Sequence, residues 1–401
     1  MDGLSSAQPW LLPCILSGVF IVVALLSWLI SEMMLRPSWY SHPEFGHYNR
    51  HNFSSPEERL AATLPPTILG DAIFTWRISE TISGVGNPLS DVNLPFTNVE
   101  IPLLRPGMPG NTTLRGWLVK GEDKQQQQQQ QQQDQDAAPH FFGDMCVVAV
   151  HGGGRDRRQW LRHMPVFHSV GCSVLTIDCE EHGLSDGRGR RVGWATYEQF
   201  DALSAAHYAR QTLGYRRVVM LGTSMGGAGV LMAAGYGLWD RFPSRGERPG
   251  WLTPLEKSRL EARDCIDAVI AENPPASREA LASHIVHKAF ADALGRVFGG
   301  VLAALLWPPV WATLSARLGA FSRGEPVDAV THIKGKPLLL IHGTRDALIP
   351  WQQAETIFAV ANEPKTLWIV EGATHTATYN ADPQAWARHV HALLAQVGSR
   401  E

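Results

Sequence analysis

Residues Val218-Val219-Met220-Leu221-Gly222-Thr223-Ser224-Met225-Gly226-Gly227 decide the reading of this chain. An aliphatic run ends in the pattern G-x-S-x-G and passes into a helix-like run of small residues. A serine on so sharp a strand-to-helix turn sits on strained backbone. Gly222 and Gly226 are required because side chains two positions either side of it would collide with neighbouring backbone. Ser224 is then raised above the carboxyl edge of a sheet, and the helix start behind it favours a developing oxyanion. An ordinary turn serine is the bland alternative, and the strand–turn–helix setting favours the nucleophile.

Three further segments fit the same chemistry. His151-Gly152-Gly153-Gly154 follows the apolar run 145–150. Acyl transfer needs two backbone N–H donors aimed at the oxyanion. Met225, the residue after the nucleophile, supplies one, and Gly153 is the expected second, with Gly152 and Gly154 as alternatives. A phosphate-cradling loop is the rival reading, but the Walker lysine and the G-x-G-x-x-G spacing are missing. His151 precedes the nucleophile and reads as a structural brace for the loop.

His342-Gly343-Thr344-Arg345-Asp346 follows the run 337–341, which places Asp346 beyond a strand end, where it can hold an imidazole in the right tautomer. Glu371-Gly372-Ala373-Thr374-His375 follows the run 366–370, so His375 is the candidate general base. Glu272, and less so Asp178, also lie at strand ends, with Glu272 the runner-up acid. With 16 histidines in the chain, any one alone is a weak candidate. Four elements in the order His151-Gly-Gly-Gly, Ser224, Asp346, His375, each after a strand-like run, are strong together.

Working outward, the runs at 99–103, 113–120, 145–150, 173–178, 217–221, 266–271, 337–341 and 366–370 read as strands. The later six are short, aliphatic and without alternation, as strands buried on both faces are. Helical patterns such as 197–213 and 383–396 lie between them, which predicts a doubly wound α/β domain. Two insertions interrupt the alternation: a polar one at 236–263 and an apolar, helix-like one at 276–332. Within the second, 297–316 is twenty uncharged residues, long enough to cross a bilayer. Spanning is rejected because its flanks belong to one sheet and Pro308-Pro309 should break the helix. A cap over a pocket is preferred, with a membrane-dipping lid as the alternative. Nine glutamines at 125–133 read as part of a surface loop, 124–136.

The chain has 401 residues, 44% of them hydrophobic and 18% charged, which suits a folded core rather than global disorder. A net charge of −3 argues against nucleic acid as the main partner. Five cysteines without C-x-x-C spacing suggest neither a zinc site nor a disulfide framework, and Cys146, Cys172 and Cys179 read as inert buried thiols. Arg155, Arg157 and Arg158 read as a solvated loop or helix start, with binding of an anion as the functional alternative.

Residues 10–30 carry no charge, and as a helix they would rise about 31 Å, the thickness of a bilayer core. Trp10 and Trp28 sit near the two ends. The flanks and cut site do not suit a cleaved signal peptide, so an uncleaved anchor is expected after a short tail, 1–9. A connector, 31–96, follows. Arg36 and Arg50 come after the segment, which leans towards a cytosolic domain, whereas the sequons at Asn52 and Asn111 would be usable only in a lumenal or extracellular one.

On these motifs, over residues 97–396, the chain resembles the α/β-hydrolase superfamily. Among its branches it is similar to the membrane-anchored BEM46-like hydrolase-domain proteins and the serine aminopeptidase-like group. The stretch Asp178-Cys-Glu-Glu-His182-Gly-Leu-Ser-Asp186-Gly carries that likeness. The resemblance implies an eight-stranded, mostly parallel sheet, a cap after the sixth strand, and neither metal nor organic cofactor.

Together the readings predict a membrane-anchored serine hydrolase. Ser224, Asp346 and His375 would be catalytic, and Met225 and Gly153 would hold the oxyanion. The expected substrate carries an ester, thioester or amide, with a lean towards lipid or acylated molecules. The expected membrane contact is through 10–30, with the cap segment 297–316 as a second candidate. A peptidase for short peptides and a catalytically silent receptor or scaffold are the competing classes.

Overall fold

The computed structural model describes residues 11–35, 86–104, 112–122, 141–187, 192–236, 263–318 and 324–399. The tail, most of the connector, Asn52, Asn111, the glutamine loop and residues 237–262 of the polar insertion lie outside them.

Eight strands form one sheet: β1 (Thr97–Pro102), β2 (Thr113–Val119), β3 (Met145–Val150), β4 (Ser173–Ile177), β5 (Arg217–Thr223), β6 (Ala268–Glu272), β7 (Leu338–Gly343) and β8 (Lys365–Val370). Their spatial order is β1-β2-β4-β3-β5-β6-β7-β8. β2 runs antiparallel to both β1 and β4, and every other pairing is parallel. The main helices are α1 (Leu11–Leu35), α2 (Glu198–His207), α3 (Met225–Tyr236), α4 (Arg278–Leu294), α5 (Arg296–Leu318), α6 (Gln352–Val360) and α7 (Pro383–Gly398).

The central strands are aliphatic on both faces because both faces are covered. In β3, Cys146, Val148 and Val150 join one core layer with Phe200 of α2 and Val230 of α3. Met145, Val147 and Ala149 join the other, with Trp160 and with Trp386 and Leu394 of α7. Trp386 is fully buried, and a side chain of that class contributes on the order of 2–3 kcal/mol by leaving water. The edge strand β1 instead alternates, with only Val99 and Ile101 buried.

Strand register sets where the chemistry can lie. Val150 pairs with Gly222, Thr223 with Glu272, Glu272 with Ile341, and Gly343 with Val370. The residues after β3, β5, β6, β7 and β8 therefore emerge along one carboxyl edge of the sheet.

Between β6 and β7, α4 and α5 form a helical hairpin. The side chain of Ser277 caps α4 by accepting from the Ala280 N–H at 3.1 Å. Contrary to the sequence expectation, Pro308-Pro309 does not break α5, which continues through both. The missing amide donors free the carbonyls of Ala304 and Leu305, both on the helix's exposed side. The opposite side, with Ala303, Leu306 and Val310 buried, holds the helix together by packing.

The apolar N-terminal helix is present, and Ser17–Leu35 is a candidate transmembrane helix with mean hydropathy 2.2. Arg296–Leu318 passes the same test of length and composition, with mean hydropathy 1.6. The two touch: Met34 and Leu35 pack with Leu314 and Leu318. Arg317 donates to Ser31 Oγ at 2.7 Å and pairs with Glu32.

Candidate active site

Ser224 lies between β5 and α3 with φ +54°, a left-handed conformation unfavourable for any residue with a Cβ. The turn that imposes it is held by the Ser224 N–H donating to the Glu272 carbonyl at 2.8 Å. A Cβ on Gly222 would meet the Gly226 carbonyl oxygen at 2.3 Å, and one on Gly226 would meet the Val150 oxygen at 2.3 Å. Those contacts are the physical content of the G-x-S-x-G spacing.

His375, in the loop after β8, reaches this serine. Its Nε2 lies 3.0 Å from Ser224 Oγ, and its Nδ1 lies 2.7 Å from Asp346 Oδ2. Ser224, Asp346 and His375 are 6%, 7% and 7% exposed, so the chain of contacts is shielded from water yet reachable. With Nδ1–H donating to the carboxylate, Nε2 is left to accept the serine proton.

Asp346 is held at both oxygens. Oδ1 accepts from the backbone N–H groups of Leu348 and Ile349, at 2.9 and 2.8 Å. Oδ2 accepts from His375 and, at 2.8 Å, from the side-chain amide of Asn273. His342 Nε2 is 3.3 Å from the same oxygen and 2.8 Å from the Ile349 carbonyl. Burial works to raise the carboxyl pKa, but His375 and the hydrogen bonds outweigh it and hold the group well below the usual carboxylate range.

Asn273 and His342 were not singled out from sequence. Asn273 directly follows β6, is fully buried and has φ +46°. Its only sequence signal is a polar residue at a strand end in a chain whose other strand ends carry the candidate site residues.

The runner-up acid, Glu272, is placed elsewhere. Its side chain accepts from Thr378 Oγ1 at 3.2 Å and from Trp386 Nε1, and burial raises its pKa. His151 braces the glycine loop: its Nε2 accepts from the Cys179 N–H at 2.9 Å, so its Nδ1 donates to the Gly152 carbonyl at 2.8 Å. Within that loop, the Gly152 N–H donates to Gln159 Oε1 at 2.8 Å. Gly152 is thus already engaged, which leaves Gly153 and Gly154 of the three glycine candidates.

The three arginines that follow are buried rather than solvated. Arg158 pairs with Asp156, and Arg157 lies 3.5 Å from Asp178 and over the Trp117 ring. Asp178 Oδ1 accepts from the Arg157 N–H and Oδ2 from the Leu184 N–H, which ties the glycine loop to the segment after β4. Cys146, Cys172 and Cys179 are buried free thiols whose pKa burial pushes up, so none is a ready thiolate. Among the described residues, no group of three His, Cys, Asp or Glu side chains is placed to hold a metal ion.

A narrow apolar cavity begins beside Met225. Trp194, Leu281 and Ile285 of α4, Leu314 of α5 and Met34 of α1 line it. Arg278 is the charged residue of that lining, and it is engaged with Glu325, Thr196 and the Gly324 carbonyl.

Residues 147–389 match the sequence pattern of the alpha/beta hydrolase family. The chain is 23% identical over 262 residues to the uncharacterized protein YqkD of Bacillus subtilis (strain 168), covering 64% of this chain and 73% of that one. It is 26% identical over 208 residues to the uncharacterized protein YfhR of Escherichia coli (strain K12), covering 52% of this chain and 55% of that one. Among solved structures, the esterase Pf2001 of Pyrococcus furiosus shares the fold. It has a TM-score of 0.51 and 19% identity, and the match covers 77% of this chain and 93% of that one.

Proposed function

The chain belongs to the alpha/beta hydrolase family, and from that premise we propose that it is a membrane-anchored serine hydrolase that cleaves acyl esters or thioesters. The observation that carries the reading is His375, in contact with Ser224 Oγ through one ring nitrogen and with Asp346 through the other.

The proposed steps follow from those contacts. Ser224 Oγ attacks the substrate carbonyl carbon as its proton passes to His375 Nε2. Asp346 stabilises the imidazolium and holds the ring in place. The N–H groups of Met225 and Gly153 receive the oxyanion. The tetrahedral intermediate collapses, the carbonyl–leaving-group bond breaks, and His375 protonates the departing oxygen or sulfur. Water, deprotonated by His375, then attacks the acyl-enzyme, and Ser224 leaves with the proton restored.

The substrate lean rests on the cavity beside Met225. Its lining is mostly aliphatic and aromatic, and among the described residues no carboxylate lines it to hold a free amine, which favours an acyl chain over a peptide N-terminus. The anchor is assigned to α1, and the solved esterase neighbour adds an analogy of fold only.

The test uses the purified full-length chain with p-nitrophenyl esters, an acyl thioester and aminoacyl amides. Hydrolysis of esters and thioesters, abolished in Ser224→Ala, supports the reading. Faster cleavage of aminoacyl amides would shift it to a peptidase, and no turnover of any of them would overturn it.

A further inference from the structure

The cavity beside Met225 is not closed by the cap alone: the last turn of α1 supplies part of its wall through Met34. That turn is fixed to the hydrolase fold. Helix C-termini leave carbonyls without intrahelical partners. Here Trp194 Nε1 donates to the Met34 carbonyl at 2.8 Å and the Val192 N–H donates to the Leu35 carbonyl at 3.1 Å. Trp194 thus caps the helix while its ring lines the same cavity. One turn earlier, Arg317 clamps Ser31 and Glu32 and stacks over Trp28 at 5.4 Å. Met34 and Leu35 are 7% and 2% exposed, as core residues are.

The neighbours say what the cavity takes. Met34, Trp194, Met225, Leu281 and Leu314 present carbon and sulfur, and Arg278 is already paired. Among the described residues of the lining, the polar side chains are Thr196 and Arg278, and they bond each other, so little polar surface is offered to a sugar, nucleotide or peptide backbone. The helices that wall the cavity also carry most of the large exposed apolar residues among the described ones, including Phe20, Leu25 and Leu29 on α1, and Val297, Phe298 and Leu305 on α5. One continuous pair of elements therefore joins a surface suited to lipid with a cavity lined by Met225, the residue after the candidate nucleophile.

We propose that the last turn of α1 is a specificity-determining part of the substrate site, with Met34 forming one wall of a subsite for the substrate's acyl chain. The helix assigned as anchor then also measures the acyl group presented to Ser224. This inference rests on the hydrolase reading above and adds to it the residue that sets chain length.

The experiment compares wild type, Met34→Trp and Met34→Ala, all full-length in one detergent, on p-nitrophenyl acetate, butyrate, octanoate and laurate. Selectivity is read as the ratio of kcat/KM for laurate to that for acetate, which does not depend on how much of each preparation is folded. Each methylene buried is worth about 0.8 kcal/mol, so filling the wall with tryptophan should lower the ratio about tenfold or more. Alanine should move the optimum towards the longer chains. Ratios in both variants within about twofold of wild type would overturn the inference while leaving the hydrolase reading intact. Absence of ester turnover in wild type would instead overturn the hydrolase reading, and the inference with it.

Discussion

The side-chain amide of Asn273 donates to Asp346 Oδ2 at 2.8 Å, the oxygen that also receives His375. A residue at the end of β6 therefore fixes the carboxylate at the end of β7, and through it the imidazole that meets Ser224. Replacing Asn273 with alanine removes that donor and leaves Oδ2 held by His375 and His342 alone. The expected result is a fall in kcat of about tenfold, the scale of one charge-assisted hydrogen bond, with KM little changed. Steady-state hydrolysis of a p-nitrophenyl ester measures it.

Asp346→Asn should be far more severe. The amide cannot stabilise an imidazolium and turns the histidine towards the wrong tautomer, a change worth about 10⁴-fold in kcat in a serine triad. The same assay, with circular dichroism to show that the fold is kept, checks this outcome. A loss of less than about tenfold would point to Glu272, now seen on Trp386 and Thr378, or to another acid.

Gly226→Ala tests the turn rather than the chemistry. Its Cβ would sit 2.3 Å from the Val150 oxygen and 2.5 Å from the His151 oxygen, both backbone atoms that cannot step aside cheaply. Loss of stability on the order of 3 kcal/mol is expected, seen as a Tm lowered by several degrees, together with loss of activity.

Acid should destabilise the fold through its buried histidines. Burial lowers the pKa of His151, His163 and His182, the last to about 4. In the unfolded chain these rings take protons near 6.5, whereas in the folded protein they resist. The unfolded state then binds more protons, so the stabilisation is complete above that value and is lost as pH falls towards about 4 for His182. Glu272 and Glu325, whose pKa values burial raises, act in the opposite sense, but the histidines lowered by burial, His389 and His391 among them, outnumber these two. Thermal unfolding at about pH 7.5 and about pH 5 should show the lower Tm at the lower pH, and His182→Gln should narrow the gap.

Much of this was legible in the sequence, for identifiable reasons. Strands buried on both faces must be aliphatic throughout, so β3 to β7 stand out as short unbroken runs. The turn at Ser224 admits only glycine at positions 222 and 226, which stamps a local pattern on the chain. Loops after strands carry Asp346 and His375 in chain order. What stayed hidden depends on contacts distant in sequence. Nothing local marks Asn273 as the partner of a residue 73 positions later. Arg157 and Arg158 look like surface charge until Asp178 and Asp156 are placed beside them. The prolines of α5 look like a break until packing on the hairpin's buried side is seen to hold the helix. Met34 looks like the tail of an apolar run, and its place in a cavity wall follows only from Trp194, 160 residues on.

The central claim is that Ser224 is an activated nucleophile, and reaction with a fluorophosphonate probe tests it most directly. Membranes carrying wild type, Ser224→Ala and His375→Ala are treated alike, and covalent labelling is read on a gel. Strong labelling of wild type that is lost in both variants is the predicted result. Labelling that survives in Ser224→Ala, or well-folded wild type that takes up no label, would contradict the account.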